Sequence, residues 1–302
     1  MYDIIIIGAG PAGMTASIYA RRANKSVLVL EAISYGGQII NSMDVDNYPS
    51  QAHISGFDLA TKMYNQAKDL GVKFIFEKAI DIKNEQNQKE VITEKNKYLC
   101  KSVIIATGLI NRNLGLDNEK NLIGKGISYC ATCDGAFYKN MKVAVVGGGE
   151  TALEDAIYLS KMASKVYLIH RNDSFTDNER LSGELKKTNV EVLFNTTITK
   201  INGKDKLESI EIKLDGQNST LEIDCLFVAI GKMPENNNFT KFADTDKIGY
   251  IVAGEDCRTK TDGIFVAGDV RSKKLRQLVT ATSDGAIAAT EAIKYINRLE
   301  EK

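Results

Sequence analysis

Two strand–glycine-turn–helix openings, at Gly8 and at Gly147, and a further strand and long helix at the C-terminus predict an α/β fold. The expected architecture is two Rossmann-like, three-layer domains, the second inserted in the first. A chain of 302 residues has room for both.

Residues 3–7 form a continuous β-branched run, which reads as a strand buried on both faces. The turn Gly8-Ala9-Gly10-Pro11-Ala12-Gly13 follows, then a helical stretch over 14–23. Residues 26–30 read as the next strand, ending at Glu31. Ser55-Gly56-Phe57-Asp58 has the form of a capping box for a helix closing near Gly71. Residues 102–106 are another apolar strand, ending in Ala106-Thr107-Gly108.

The order then recurs. Residues 142–146 read as a strand, followed by Gly147-Gly148-Gly149-Glu150-Thr151-Ala152. Residues 153–163 are helical, and 165–169 are a strand ending at His170-Arg171. Residues 226–230 are a later strand ending in Gly231. The tail belongs to the first copy: a strand over 263–267 runs into Gly268-Asp269, and a helix covers about 281–299. Domain one is therefore expected over 1–112 with 245–302, and the insertion over 113–244. The crossings, near 109–114 and 240–247, are rich in Asn, Lys and Asp, as solvated linkers are. Two such segments would make a hinge. No 20–50-residue repeat marks a solenoid.

Composition narrows the partners. The chain carries 39 basic and 39 acidic side chains, so nothing points to nucleic acid or to an anionic membrane. The run Ile4-Ile5-Ile6-Ile7 is far short of the roughly 20 apolar residues of a membrane span, and no basic segment precedes it. Five cysteines are not a disulfide framework: Cys100, Cys225 and Cys257 stand alone, and only Cys130 and Cys133 are close. Such a pair reads as redox or metal chemistry in a reducing compartment, hence the cytoplasm.

The first turn has the context that a dinucleotide fingerprint requires. Gly8 makes the tight turn, Gly10 lets the backbone approach a pyrophosphate, and Gly13 lets the helix pack on the sheet. The helix N-terminus favours phosphate charge, and Glu31 is placed to accept from ribose hydroxyls. Gly268-Asp269 closes a strand where a ribitol contact is expected, with Arg276-Gln277 on the loop beyond. The last helix, with its N-terminus around 282–285, would lend partial positive charge to a flavin ring. The second fingerprint ends in Ala152, which still permits close packing. After its second strand come His170, Arg171, Asn172, Asp173, Ser174, Phe175, Thr176 and Asp177. One arginine among acids is a poor cradle for a 2′-phosphate, and it is not a standard ribose carboxylate either.

Cys130-Ala131-Thr132-Cys133-Asp134 has three readings. Zinc needs four ligands, and this chain offers one cysteine pair and two distant histidines, His53 and His170, so no metal is expected. Two structural thiols are the plain alternative. A redox dithiol is the third, with Asp134 donating a proton to a released thiolate.

These residues together resemble a low-molecular-mass bacterial thioredoxin reductase, a class II flavoprotein disulfide reductase of the clostridial, Firmicutes-like kind. The resemblance spans essentially the whole chain. Its matching runs are residues 6–14, Gly36-Gly37-Gln38, 105–108, 130–135, 146–149, 267–269 and Arg276-Gln277. It implies FAD in the first domain, held by Gly8, Gly10, Pro11, Ala12, Gly13, Glu31, Gly36, Gly37, Gln38, Asn47, Ala106, Thr107, Gly108, Gly268, Asp269, Arg276, Gln277 and Leu278. It implies NADPH or NADH against Gly147, Gly149, Glu150, Thr151, Ala152, His170 and Arg171. Cys133 would face the flavin, Cys130 would exchange with thioredoxin, and Asp134 would supply the proton. A homodimer and a rotation of one domain against the other come with the resemblance.

One departure bears on the electron donor. The family's second unit usually reads His-Arg-Arg with a further arginine beyond; here Asn172 and Thr176 stand in those places. Each lost charge-assisted hydrogen bond is worth ~1.5–3 kcal/mol. Two losses, which are not fully additive, weaken 2′-phosphate binding by roughly 3–5 kcal/mol, hundreds- to thousands-fold at about 1.4 kcal/mol per decade. NADH, either nucleotide, or reduced ferredoxin then compete as donor. Ferredoxin near about −400 mV against thioredoxin near about −270 mV leaves roughly 130 mV of driving force. The intact second glycine turn argues for a nucleotide. Two further readings are a flavin NAD(P)H oxidoreductase without disulfide chemistry and a non-catalytic FAD-binding redox sensor.

Overall fold

The computed structural model describes residues 1–301 apart from 43, 86–87, 176–178 and 235–236. It divides into two compact units, Met1–Ile110 with Met233–Lys302, and Asn111–Lys232.

The first unit opens with β1 (Tyr2–Ile7), α1 (Pro11–Arg22) and β2 (Val27–Glu31). Pro11 at the first helical position has no N–H to lose there, so α1 starts three residues before the expected Met14. Next comes α2 (Gly56–Asp69), capped as its sequence suggests: the Ser55 hydroxyl accepts from the Asp58 N–H at 3.0 Å and donates to the Asp58 carboxylate at 2.6 Å. Then follow β3 (Lys73–Phe76), β4 (Ala79–Asn84), β5 (Lys89–Thr93) and β6 (Lys97–Ile105).

β7 (Leu109–Asn111) leads out of this unit. The second unit continues with β8 (Ile127–Ser128), the single turn α3 (Ala131–Asp134), β9 (Lys142–Val146), α4 (Glu150–Ser160) and β10 (Lys165–Ile169). It goes on with α5 (Glu179–Leu185), β11 (Val190–Leu193), β12 (Thr196–Asn202), β13 (Ser209–Leu214), β14 (Gln217–Glu222) and β15 (Cys225–Val228). The chain returns through β16 (Lys232–Pro234) and ends with β17 (Ile264–Val266) and α6 (Leu278–Glu300).

Among the described residues the first unit is built on a seven-stranded sheet in the order β3-β2-β1-β6-β5-β4, with β17 also on β6. β1 runs parallel to β2 and β6, while β4 and β5 return antiparallel. β1 explains the layering. Ile4 and Ile6 face α1 and α6, packing with Ala16, Ala288 and Ala292. Ile5 and Ile7 face the other way, with Ile82, Val91 and Phe242. All four are at most 5% exposed, as a β-branched run buried on both faces requires. Each contributes about 1.5–3 kcal/mol by burial.

The second unit repeats the pattern. Its five-stranded sheet, β11-β10-β9-β15-β8, is parallel. Val143 and Val145 of β9 pack with Ala152, Ala156 and Leu159 of α4. Ala144 and Val146 pack with Ile201, Ile210 and Ile212 of the antiparallel sheet β12-β13-β14.

Two expectations need correction. Composition puts the end of the insertion at 244/245, but the chain rejoins the first unit at 232/233. Phe242 and Ala243, inside the expected linker, and Phe239 just before it are buried beside Ile5 and Val266; their apolar side chains outweigh their polar neighbours. The last helix begins at Leu278, not near Ala281. Gln277 caps it, with a reciprocal bond pair to Thr280 that adds a turn, so residues 282–285 are helix interior rather than its positive end. Gly285 serves packing instead, because a Cβ there would meet the Ala12 carbonyl of α1. No helix of the described residues is long and apolar enough to cross a membrane.

Candidate functional site

In the first unit the expected residues gather at the carboxyl ends of β1, β2, β6 and β17, where parallel α/β sheets bind ligands. Gly8 follows β1 at φ 112°, and any Cβ there would run into the Ala106 carbonyl oxygen. A Cβ at Gly13 would strike the Gly8 carbonyl oxygen, so α1 can approach the turn only with glycine. Gly10, the residue before α1, has open space apart from the Gly37 backbone.

Glu31 holds this turn. One carboxylate oxygen accepts the Ala9 N–H at 2.8 Å and the other accepts the Ile33 N–H at 3.1 Å. Gly36 donates to the Ala9 carbonyl at 2.8 Å, drawing the Gly36-Gly37-Gln38 segment onto the same turn. The Gln38 amide reaches the Leu109 carbonyl at 3.1 Å, and Asn47 donates to the Gln277 side chain at 3.3 Å. Arg276 lies over the Tyr250 ring at 3.8 Å and donates to the Asp269 carbonyl at 3.2 Å. Leu278 differs from the rest: its side chain is buried with Val45 and Leu59 and has a packing role.

The cradle fits a dinucleotide such as FAD. Thr107 Oγ1 is buried without a hydrogen-bond partner among the described residues, at the end of β6 where a ligand would pass. Gly108 beside it borders open space, where a Cβ would meet nothing within 4 Å.

Beneath this cradle sits a buried ion cluster that no local sequence motif announces. Asp284, 3% exposed, accepts the Gly268 N–H at 3.1 Å and pairs with Arg271 through both oxygens. Lys273 joins it at 3.1 Å and also faces Asp269 at 3.6 Å. One signal was available: an acid among Ala281, Gly285 and Ala288, on the buried face of a helix.

In the second unit Cys130 and Cys133 form a disulfide, with Cα atoms 5.3 Å apart. Cys130 caps α3, its sulfur accepting the Cys133 N–H at 3.2 Å. Cys130 is half-buried and Cys133 exposed. The Asp134 carboxylate accepts the Ser128 hydroxyl at 2.7 Å. Tyr138 and Cys225 lie close to this group. Burial, then the neighbouring Cys225, pushes the Tyr138 hydroxyl up. Burial pushes the Cys225 thiol up to about 12. Both stay protonated in the physiological range. Cys100, Cys225 and Cys257 are buried free thiols, and no metal-ligand cluster occurs among the described residues.

The second glycine turn is also formed. Gly149 precedes α4 with open space around it, while Gly147 abuts Ala229 and Ala152. Glu150 and Thr151 are exposed on the first turn of α4, and Ala152 is buried. His170 is held by the protein itself. Its ring lies against Gly148, bonds the Ser174 carbonyl through Nε2 at 3.1 Å, and packs on Phe175. Arg171 and Asn172 are exposed, and Thr176 lies outside the described residues.

Asp155, half-buried in α4, has its carboxyl pushed up to about 7, by burial first and then by Glu154, against a smaller opposing effect of Lys232. Its folded pKa exceeds the ordinary value, so its contribution to stability is full at acid pH and lost as pH rises through about 7. Asp155→Asn is therefore expected to raise Tm more at pH 8 than at pH 5. An equal shift at both, by calorimetry, would refute this.

Comparison with known proteins agrees with this geometry. The pyridine nucleotide-disulphide oxidoreductase family matches residues 2–285. A thioredoxin reductase of Listeria innocua is 42% identical over 305 aligned positions, covering 100% of this chain and 96% of that one. One from Bacillus subtilis is 41% identical with the same coverage. Among solved structures, the Lactococcus lactis thioredoxin reductase in its FR conformation superposes with a TM-score of 0.90 at 36% identity, covering 99% of this chain and 100% of that one.

Proposed function

The chain belongs to the pyridine nucleotide-disulphide oxidoreductases, among the low-molecular-mass thioredoxin reductases, and we propose that it reduces thioredoxin with electrons from a nicotinamide nucleotide. The observation that carries this reading is the Cys130–Cys133 disulfide with the Asp134 carboxyl on the same turn.

FAD, when bound, accepts two electrons from a nicotinamide and passes them to a disulfide. Its pyrophosphate would lie on the Gly8–Gly13 turn at the start of α1, its ribose by Glu31, and its ribitol by Asp269, with Thr107 supplying a free hydroxyl. The protein's own chemistry is thiol–disulfide exchange. The reduced Cys130 thiolate attacks a sulfur of the thioredoxin disulfide; that S–S bond breaks and a Cys130–thioredoxin bond forms. Cys133 then attacks Cys130, which restores the 130–133 disulfide and releases the second thioredoxin sulfur. Asp134 donates a proton to a released thiolate, so that it does not attack in reverse. The cradle and the dithiol belong to different units, and the reading includes a rotation of one against the other. It also includes a homodimer in the cytoplasm, in keeping with three cysteines left as buried thiols.

The donor is a nucleotide, because the Gly147–Ala152 turn keeps open space at Gly149. A ferredoxin-driven enzyme is not favoured. With Asn172 in place of a cation, NADH should serve at least as well as NADPH. Anaerobic titration of the flavin with NADPH, NADH and reduced ferredoxin in turn tests this. NADH is expected to bleach the flavin absorbance at no higher concentration than NADPH. A strong NADPH preference would overturn the Asn172 argument, and bleaching by ferredoxin alone would overturn the nucleotide donor.

A further inference from the structure

We propose that Ser128 is a positioning residue, which holds the Asp134 carboxyl in place for proton transfer and ties it to the backbone of Cys130. The proposal rests on the reading above, in which Asp134 is the proton donor of the exchange.

Ser128 ends β8, an edge strand paired with β15 opposite Phe227. It is 4% exposed, so its hydroxyl must be satisfied within the protein. A hydroxyl has one proton and two lone pairs. Its oxygen lies 2.7 Å from Asp134 Oδ2 and 3.3 Å from the Cys130 carbonyl oxygen. The single proton goes to the nearer, charged acceptor, where such bonds are stronger. The Cys130 N–H at 3.1 Å takes one lone pair. The Asp134 N–H in turn donates to the Cys130 carbonyl at 3.1 Å. Cys130 and Asp134 are thus joined twice, once through backbone and once through the serine hydroxyl.

This arrangement acts on one step. The proton leaves the Asp134 carboxyl for a thiolate sulfur, which becomes a thiol, and the carboxylate left behind takes the Ser128 hydrogen bond. A bond to the charged form favours that form, so Ser128 draws the transfer toward the sulfur. The other titratable groups facing Asp134 are Tyr138, from the 3-10 turn Gly135–Tyr138, and Cys225, from β15. Neither changes charge near neutral pH, so an effect of Ser128 on the pH profile is not theirs.

The test measures kcat for thioredoxin reduction against pH in flavin-loaded wild-type, Ser128→Ala, Ser128→Thr and Asp134→Asn enzymes. Asp134→Asn defines the limb that Asp134 sets. Ser128→Ala is expected to lower kcat about tenfold and to displace that limb toward higher pH, since the carboxylate loses a donor. Ser128→Thr, which keeps the hydroxyl, should restore both. If Ser128→Ala does not hold flavin, Ser128→Cys takes its place, because a thiol is a weak donor and should give an intermediate shift. A limb that stays put in the Ala or Cys variant while Asp134→Asn removes it overturns the role of Ser128 alone. A wild-type profile in Asp134→Asn overturns the proton-donor reading itself.

Discussion

Replacement of Cys133 by serine is expected to abolish thioredoxin reduction while nucleotide-driven reduction of the flavin persists. Cys130 would be left as a single thiol. It could still attack a thioredoxin disulfide, but nothing would resolve the mixed disulfide, so turnover stops after one bond is exchanged. The glycine turns, Glu31 and the Thr107–Gly108 corner lie in other segments of the chain and are untouched by the substitution. A thioredoxin-coupled assay set beside anaerobic flavin bleaching separates the two halves. Thioredoxin reduction that survives in Cys133→Ser would leave only a flavin NAD(P)H oxidoreductase of the same fold. Loss of both activities would instead show that the substitution had disturbed more than the dithiol. A flavin-binding sensor predicts a third pattern, in which the wild type itself bleaches and never turns over.

The parts of the fold legible in the sequence were those written in short local patterns. β9 and β10 have the expected bounds because each is a run of apolar residues ended by glycine or by a polar pair. The excursion β3–β5 and the sheet β12-β13-β14 were not found. Several of their strands alternate apolar with charged residues, as in Ala79–Asn84 and Ser209–Leu214, and their partners are set by tertiary pairing rather than by any local turn. The site divides the same way. The cysteines, the glycines and Glu31 announce themselves through spacing. Ser128 and Asp284 do not, since their partners Asp134, Gly268 and Arg271 meet them only after folding. His170 joins them: its position after β10 is legible in the sequence, but the contacts of its ring with Gly148, Ser174 and Phe175 form only on folding.

Asp284→Ala is expected to be the most destabilising substitution near the flavin cradle. The carboxylate is the acceptor for Arg271 Nε at 3.1 Å and Nη2 at 2.9 Å, for Lys273 at 3.1 Å and for the Gly268 N–H at 3.1 Å. Its hydrogen bond raises the Arg271 pKa above the ordinary value, as a buried pair should. Removal leaves two cations with little access to water. Arg271 keeps its bonds to the Ala253 and Gly254 carbonyls, and Lys273 keeps the more distant Asp269. Breaking a buried pair from one side costs about 3–5 kcal/mol, or a fall in Tm of roughly 6–20 °C at about 2–4 °C per kcal/mol. The second consequence concerns the flavin. Gly268 loses its anchor, so the Gly268-Asp269 corner loosens and flavin dissociates more readily. These effects separate in the triple variant Asp284→Leu, Arg271→Met, Lys273→Met. Apolar replacement of a buried ion cluster is often neutral or better, so the triple variant should regain Tm yet hold flavin weakly, because no acceptor has been returned to the Gly268 amide. Calorimetry of the apoprotein and flavin release on dilution measure the two separately. A Tm change within about 1 °C for Asp284→Ala would mean that Arg271 and Lys273 find solvent without it. Full flavin retention in the triple variant would mean that the corner holds its shape without the carboxylate.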